Sequence, residues 1–268
     1  MGKLTRVNEI LVAPDIPTVS GLSRNVRMRT TGLSTAITVT ADEVVLGNTS
    51  RTSYVSLPNL SLTANTNVSG IKGLDTGTIL GSTWYAVYVV YNATTAVAEL
   101  LISASSTTPT LPTGFAYFAR LGWFKTDTTG NRYPLPINIW DNIAQYGVVA
   151  SSNLTEYPII ISGIVGTTNN GNALTLSAVA VDAFIPPTAN KILLAVTYRS
   201  SHSCILAPNN NATYNGWKSN SNTTMIECVT NYNNYSTIPV SILLENRYIY
   251  AATEGANARV RVIGWEDN

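Results

Sequence analysis

Few residues of this chain can do covalent or acid–base chemistry, and their spacing narrows the choice. The single histidine, His202, stands in Arg199-Ser200-Ser201-His202-Ser203-Cys204, so a Ser-His-Asp or Cys-His site would have to use it. No Gly-x-Ser-x-Gly elbow, Walker-type phosphate loop or Gly-x-Gly-x-x-Gly turn accompanies it, which reads His202 as a loop or strand-end residue. With Cys204 and Cys228 it offers three zinc ligands. His-x-Cys with one distant cysteine lacks a fourth ligand and matches no common zinc spacing, so neither a metal nor another cofactor is expected. Asp75, Asp127, Asp141, Glu227 and Glu245 are the carboxylates that could serve glycoside hydrolysis. Their positions leave open whether any two approach to about 5 Å or about 6.5–9.5 Å, as the two hydrolytic geometries need. The expectation is a protein that is not an enzyme.

Recognition chemistry is better represented. The run Asn209-Asn210-Asn211-Ala212-Thr213-Tyr214-Asn215-Gly216-Trp217-Lys218-Ser219-Asn220-Ser221-Asn222 mixes rigid aromatics with amides and hydroxyls, and Asn231-Tyr232-Asn233-Asn234-Tyr235-Ser236 repeats its character. This is the composition of adaptable binding loops. An aromatic face can stack on the C–H face of a sugar while amides hold the hydroxyls. Two readings stand: a ligand site using Tyr214, Asn215, Trp217, Lys218, Tyr232 and Tyr235, or a polar surface loop whose Trp217 folds back onto the core. A second cluster, Arg24, Arg27 and Arg29, belongs to residues 1–35, which hold early prolines and little alternation. Residues 1–35 as a whole read as an extended arm docking onto a neighbouring subunit or larger assembly, and Arg24-Asn25-Val26-Arg27-Met28-Arg29 within them as a solvated strand face or a subunit contact, over nucleic-acid binding.

Composition bounds the rest. The chain has 268 residues, enough for one large β domain or two ordinary ones. Charged residues make up 12%, and Ser, Thr and Asn fill the polar positions instead, which favours strands and ordered loops. With 45% hydrophobic residues the chain can bury a core. A net charge of +1 argues against bulk capture of nucleic acid or anionic membrane. No window approaches 18 uninterrupted apolar residues, so membrane insertion is not expected. No secretion signal is visible, since Val7-Asn8-Glu9 interrupts any apolar run after the basic start. Synthesis in a cytosol follows as the expectation, and it favours buried thiols at Cys204 and Cys228 over a disulfide.

The elements that must position these residues read as strands throughout. The first group is 36–40, 43–46, 52–57, 84–91, 97–103 and 115–124, with Trp84–Tyr91 apolar on both faces and so buried between two layers. Trp84, Tyr88, Phe115, Tyr117 and Trp123 read as core or subunit-interface residues, and Trp140 and Trp265 as packing near a domain boundary and the terminal strand. Asn138–Gln145 is read as a short helix closing this group, and residues 147–158 as the boundary. Strands resume at 159–165 and continue to 260–265. The fold class is all-β: two consecutive β-sandwich or jelly-roll-like modules, residues 36–148 and 157–268, after an extended N-terminal arm.

The order Gly-Leu-Asp-Thr-Gly at 73–77, Ser82-Thr83-Trp84-Tyr85, hairpin, Thr-Pro-Thr-Leu-Pro-Thr-Gly at 108–114, aromatic strand and Lys125-Thr126-Asp127-Thr128-Thr129-Gly130-Asn131 resembles a module of bacteriophage and prophage tail-fibre and receptor-binding proteins. Asp182-Ala183-Phe184-Ile185-Pro186-Pro187-Thr188-Ala189 and the ending Gly264-Trp265-Glu266-Asp267-Asn268 are similar to fibre head modules. The resemblance implies a virion protein made in the host cytoplasm and assembled as a homotrimer. It would join other virion proteins through the arm and adhere, without catalysis, to a host surface carbohydrate. Its rivals are a capsid decoration, head-fibre or baseplate protein, and a polysaccharide-cleaving spike.

Overall fold

In the computed structural model, residues 23–167, 175–199, 203–210, 226–229, 235–253 and 258–267 are described. Strand forms where polar and apolar residues alternate, and no helix occurs among the described residues. The first half holds β1 (Ser23–Arg24), β2 (Arg27–Thr30), β3 (Ala36–Asn48), β4 (Tyr54–Asn65), β5 (Trp84–Asn92), β6 (Val97–Ser103), β7 (Tyr117–Lys125), β8 (Ile137–Trp140) and β9 (Ile143–Tyr146). The second holds β10 (Ile159–Ser162), β11 (Ser177–Ala180), β12 (Ala189–Arg199), β13 (Ser203–Ala207), β14 (Ile226–Val229), β15 (Tyr235–Leu243), β16 (Tyr248–Thr253) and β17 (Arg259–Asp267). The fold is all-β and sandwich-like.

A large sheet runs in the order β15-β12-β17-β9-β8-β2-β3-β7-β5-β6, with β1 and β4 also on β3 and β10 on β17. A second sheet is ordered β11-β16-β13-β14. The named pairs are all antiparallel. The large sheet folds over itself along the long β3. The first part of β3 pairs with β2, and its end, Gly47 and Asn48, pairs with β7. The layer β7-β5-β6 therefore lies over β2 and β8. The approach is tight at Gly122, where a Cβ would stand 2.7 Å from Ile139 Cδ1. Tyr85 through Val90 of β5 are buried without a break, as apolarity on both faces requires. One face of β5 meets this interlayer core, and the other meets the second half.

Two sequence expectations change. Residues 137–146 form a hairpin, β8–β9, instead of a helix. Their burial alternates strictly along Ile137-Asn138-Ile139-Trp140 and Ile143-Ala144-Gln145-Tyr146, the period of a strand. Asp141 turns the chain at φ 52°, and its carboxylate accepts from the Val26 amide at 2.9 Å. The second change concerns the extended arm, whose basic stretch is the strand face also read from the sequence. Arg24 pairs opposite Glu43, while Arg27 and Arg29 sit in β2 between β3 and β8, so the described part of residues 1–35 is built into the sheet instead of extending from it. Residues 1–22 lie outside the described residues.

The halves expected as modules share one sheet, through β9 and β17, and one continuous buried core. Their seam is aromatic. Trp265, 1% exposed, meets Trp84 edge-on at 5.2 Å between centroids and Tyr146 at 5.6 Å. Trp84 Nε1 donates to Asp182 O at 3.0 Å, Trp123 Nε1 to Thr188 Oγ1 at 2.8 Å, and the Tyr146 hydroxyl to Phe184 O at 2.6 Å. The segments 82–88, 182–189 and 264–267, singled out in the sequence, thus meet at one place. Residues 147–158 are pinned onto the first half, with Asn153 Nδ2 donating to Asp127 Oδ2 at 2.9 Å and Asn153 N to Gly32 O.

Candidate binding surface

The strand register aligns the large sheet into rows. One row reads Ser61, Thr40, Arg27, Trp140, Ile143, Glu266, Lys191 and Leu243, each directly opposite the next, across β4, β3, β2, β8, β9, β17, β12 and β15. The adjacent row reads Thr63, Thr38, Arg29, Asn138, Gln145, Gly264, Leu193 and Ser241. Apart from Gly264 these residues are exposed or half-buried, because the intervening residues of each strand face the core. Trp140 is 55% exposed, Ile143 50% and Leu243 63%.

Trp140 is held by its neighbours. The Arg27 guanidinium lies 4.1 Å from the centroid of its ring, an attraction that favours this stacked arrangement by about 0.5–1 kcal/mol at an exposed site. Asn25, Thr40, Asp42 and Asn59 join them around an open hollow of about 590 Å³. Asn25 Nδ2 donates to Asp42 Oδ2. Among the described residues neither Arg27 nor Arg29 makes an ion pair, whereas Lys191 and Glu266 further along the row pair with each other. A second, apolar groove of about 310 Å³ lies on the same face between Ile143, Leu193, Pro239 and Ile263. The surface offers an exposed indole stacked on a guanidinium, a second guanidinium, the amides of Asn138 and Gln145, and a border of hydroxyls.

Tyr214, Asn215, Trp217, Lys218 and Tyr232, like His202, lie outside the described residues. Tyr235 begins β15, opposite Arg199. The two Asn- and Tyr-rich segments precede and follow the four-residue β14 in the chain. The first of them starts from a fixed point, because the buried Asn209 donates its amide to Glu245 Oε1 at 2.7 Å.

The acid–base candidates are tied to structure. Asp75 caps the loop at 108–110 by accepting from the Thr110 amide at 2.8 Å. Asp127 accepts from Thr129 N, Thr129 Oγ1 and Asn153 Nδ2. Asp141 holds Val26 and Glu245 holds Asn209. Glu227 pairs opposite Ile205 in the small sheet. A cleft of about 430 Å³ at the seam is lined by Arg120, Asp141, Asn142, Trp265 and Asp267, and its Arg120 and Asp267 are ion-paired at 3.4 Å. Among the described residues no three His, Cys, Asp or Glu side chains converge as a metal site would need.

Sequence reasoning missed Trp140, reading it as boundary packing. The signal was present in Ile137-Asn138-Ile139-Trp140-Asp141-Asn142-Ile143-Ala144-Gln145-Tyr146, where the period of two places Trp140 on the polar side with Asn138 and Gln145. Comparison with known protein families finds none whose description matches the chain, and comparison with curated proteins finds no match either.

Proposed function

We propose that this chain is a noncatalytic adhesin of the tail-fibre or receptor-binding type, a structural protein of a virion that binds a host surface carbohydrate. The observation that carries this reading is the exposed Trp140, stacked on Arg27 and set among Arg29, Asn138, Gln145, Thr38 and Thr40 on a rigid antiparallel face. An indole fixed in place loses little entropy when a sugar ring stacks on it, and the surrounding amides and guanidiniums supply hydrogen bonds in fixed directions. The Asn209–Asn222 segment would add adaptable contacts. A shallow site of this kind binds weakly alone. A homo-oligomer, a trimer on the resemblance, raises the avidity by presenting several copies. The engagement of Asp75, Asp127, Asp141 and Glu245 in holding loops supports adhesion over hydrolysis.

The test is attachment of the labelled protein to a panel of bacterial cells and to an array of their surface glycans. Trp140→Ala should weaken attachment at least tenfold, as expected of an aromatic hot spot worth about 2 kcal/mol. Folding and oligomeric state should not change. Folded protein that binds no cell or glycan overturns the adhesion reading. A capsid decoration, head-fibre or baseplate role predicts that outcome, together with incorporation into particles that depends on Arg24, Arg27 and Arg29.

A further inference from the structure

The chain's two cysteines, 24 positions apart in sequence, occupy directly opposed positions in the small sheet: Cys204 of β13 faces Cys228 of β14 across the antiparallel ladder. Opposed residues in such a ladder have α-carbons about 4.5–5.5 Å apart. A disulfide spans about 4.4–6.8 Å between α-carbons, so an opposed pair meets its α-carbon requirement. A slip of one residue would abolish this match, and the neighbouring pairs Ser203–Val229 and Ile205–Glu227 define the register on both sides.

The position matters because of what β14 carries. It is the edge strand of its sheet and pairs only with β13 among the described residues, while β13 is fixed on its other side by β16. Residues 208–225 enter β14 and residues 230–234 leave it, so both Asn- and Tyr-rich segments hang on this one short strand. We propose that Cys204 and Cys228 close into a cross-strand disulfide in an oxidising medium, clamping β14 to the sheet and fixing the roots of both segments.

The bond forms by thiol–disulfide exchange with a small-molecule disulfide such as oxidised glutathione. One protein thiolate attacks a glutathione sulfur and expels the first glutathione thiolate. The second protein thiolate then displaces the remaining glutathione from the mixed disulfide. Two protein thiols lose two protons and two electrons, and the oxidant becomes two thiols. Cys204 is 1% exposed, so the closed bond is shielded from attack by outside thiols. A protein made with reduced cysteines would thus acquire the clamp after release into an oxidising medium.

Peptide mapping of the whole protein tests this. Lys218 is the only Lys or Arg between the cysteines, so trypsin separates them onto peptides 200–218 and 219–247. The native protein is incubated with oxidised glutathione, unfolded, alkylated with iodoacetamide and digested. The expected result is a linked pair lacking two hydrogens, split by reductant, with a higher melting temperature for the oxidised protein. Cys228→Ser should give neither the link nor the gain in melting temperature. Alkylated Cys204 and Cys228 on separate peptides, stable glutathione adducts, or disulfides between chains would overturn the proposal. The clamp's role in binding rests on the adhesion reading. Attachment that is unchanged by oxidation, with the bond formed, overturns that role. Loss of attachment in both redox states, with the bond formed, overturns the adhesion reading instead.

Discussion

Replacing Trp123 with alanine probes the seam where the two halves of the chain meet. Its indole is 1% exposed, its Nε1 donates to Thr188 Oγ1 at 2.8 Å, and the Arg120 guanidinium lies 5.6 Å from its ring centroid. Truncating a buried tryptophan costs about 3–5 kcal/mol in lost burial and residual cavity. The lost hydrogen bond adds about 1 kcal/mol. At about 2–4 °C per kcal/mol for a domain of this size, the melting temperature should fall by about 10–20 °C. Trp123→Phe keeps most of the buried ring and loses the N–H, so it should lower the melting temperature by only a few degrees. Thermal melts followed by near-ultraviolet circular dichroism, at two protein concentrations tenfold apart, provide the measurement. Because the contacts lie within one chain, the shift should not depend on concentration. A fall under 3 °C for Trp123→Ala would refute the burial argument. A fall seen only on dilution would place the residue at a subunit contact.

Gly264→Ala should be more disruptive than its size suggests, because the new Cβ would stand 1.9 Å from the Ala144 carbonyl oxygen and force β9 from β17. Loss of soluble folded protein, or a fall in melting temperature at least as large as for Trp123→Ala, is the expected outcome. The alkaline limb of stability should report two tyrosines. Burial pushes the Tyr88 hydroxyl up to about 12 and raises Tyr146 further, so the folded state favours their neutral forms. Their contribution is fully present below the unfolded value near 10 and is lost as pH rises through the folded values. Urea midpoints should therefore fall from about pH 10 upward. Tyr146→Phe should flatten that fall while costing about 1 kcal/mol at neutral pH for the bond lost to Phe184 O.

Local pattern made part of this fold readable, and nonlocal register hid the rest. The unbroken apolar run of β5 requires cover on both faces, and the structure supplies it from β2, β3 and β8 on one side and from residues 182–188 and 265 on the other. The hairpin at 137–146 was equally present in the pattern, yet ten mixed residues with one aspartate turn also suit a short helix. What decides is pairing with β2 and β17, which no local window contains. Arg27 and Arg29 could be read as a strand face from the sequence, but two exposed residues flanking Met28 do not say which sheet receives them. Met28 is in fact 1% exposed beneath β7. The aromatic–amide segments remain visible only as composition. The side that Trp140 faces is local, but its stacking on Arg27 and the Cys204–Cys228 pairing emerge only when strands distant in sequence are laid side by side.

The sheet edges give one more reason to look to faces for function. A long edge strand invites pairing with another chain. Here β4 is interrupted in its middle by Pro58, which has no N–H to give, and by Asn59 at φ 52°. At the far end β15 carries Pro239. The outer edge of β6 is occupied by residues 72–75, with Lys72 N donating to Leu100 O and Ile102 N to Gly73 O. Strand-by-strand growth is therefore discouraged at each end of the large sheet. The broad outer face is not blunted in this way. Among its described residues it leaves Arg27 and Arg29 without ion pairs, pairs Lys191 with Glu266, and exposes Trp140, Ile143 and Leu243. A sheet that protects its edges while exposing an aromatic–aliphatic row is suited to meeting its partners face-on, and the attachment and assembly measurements above both read that face.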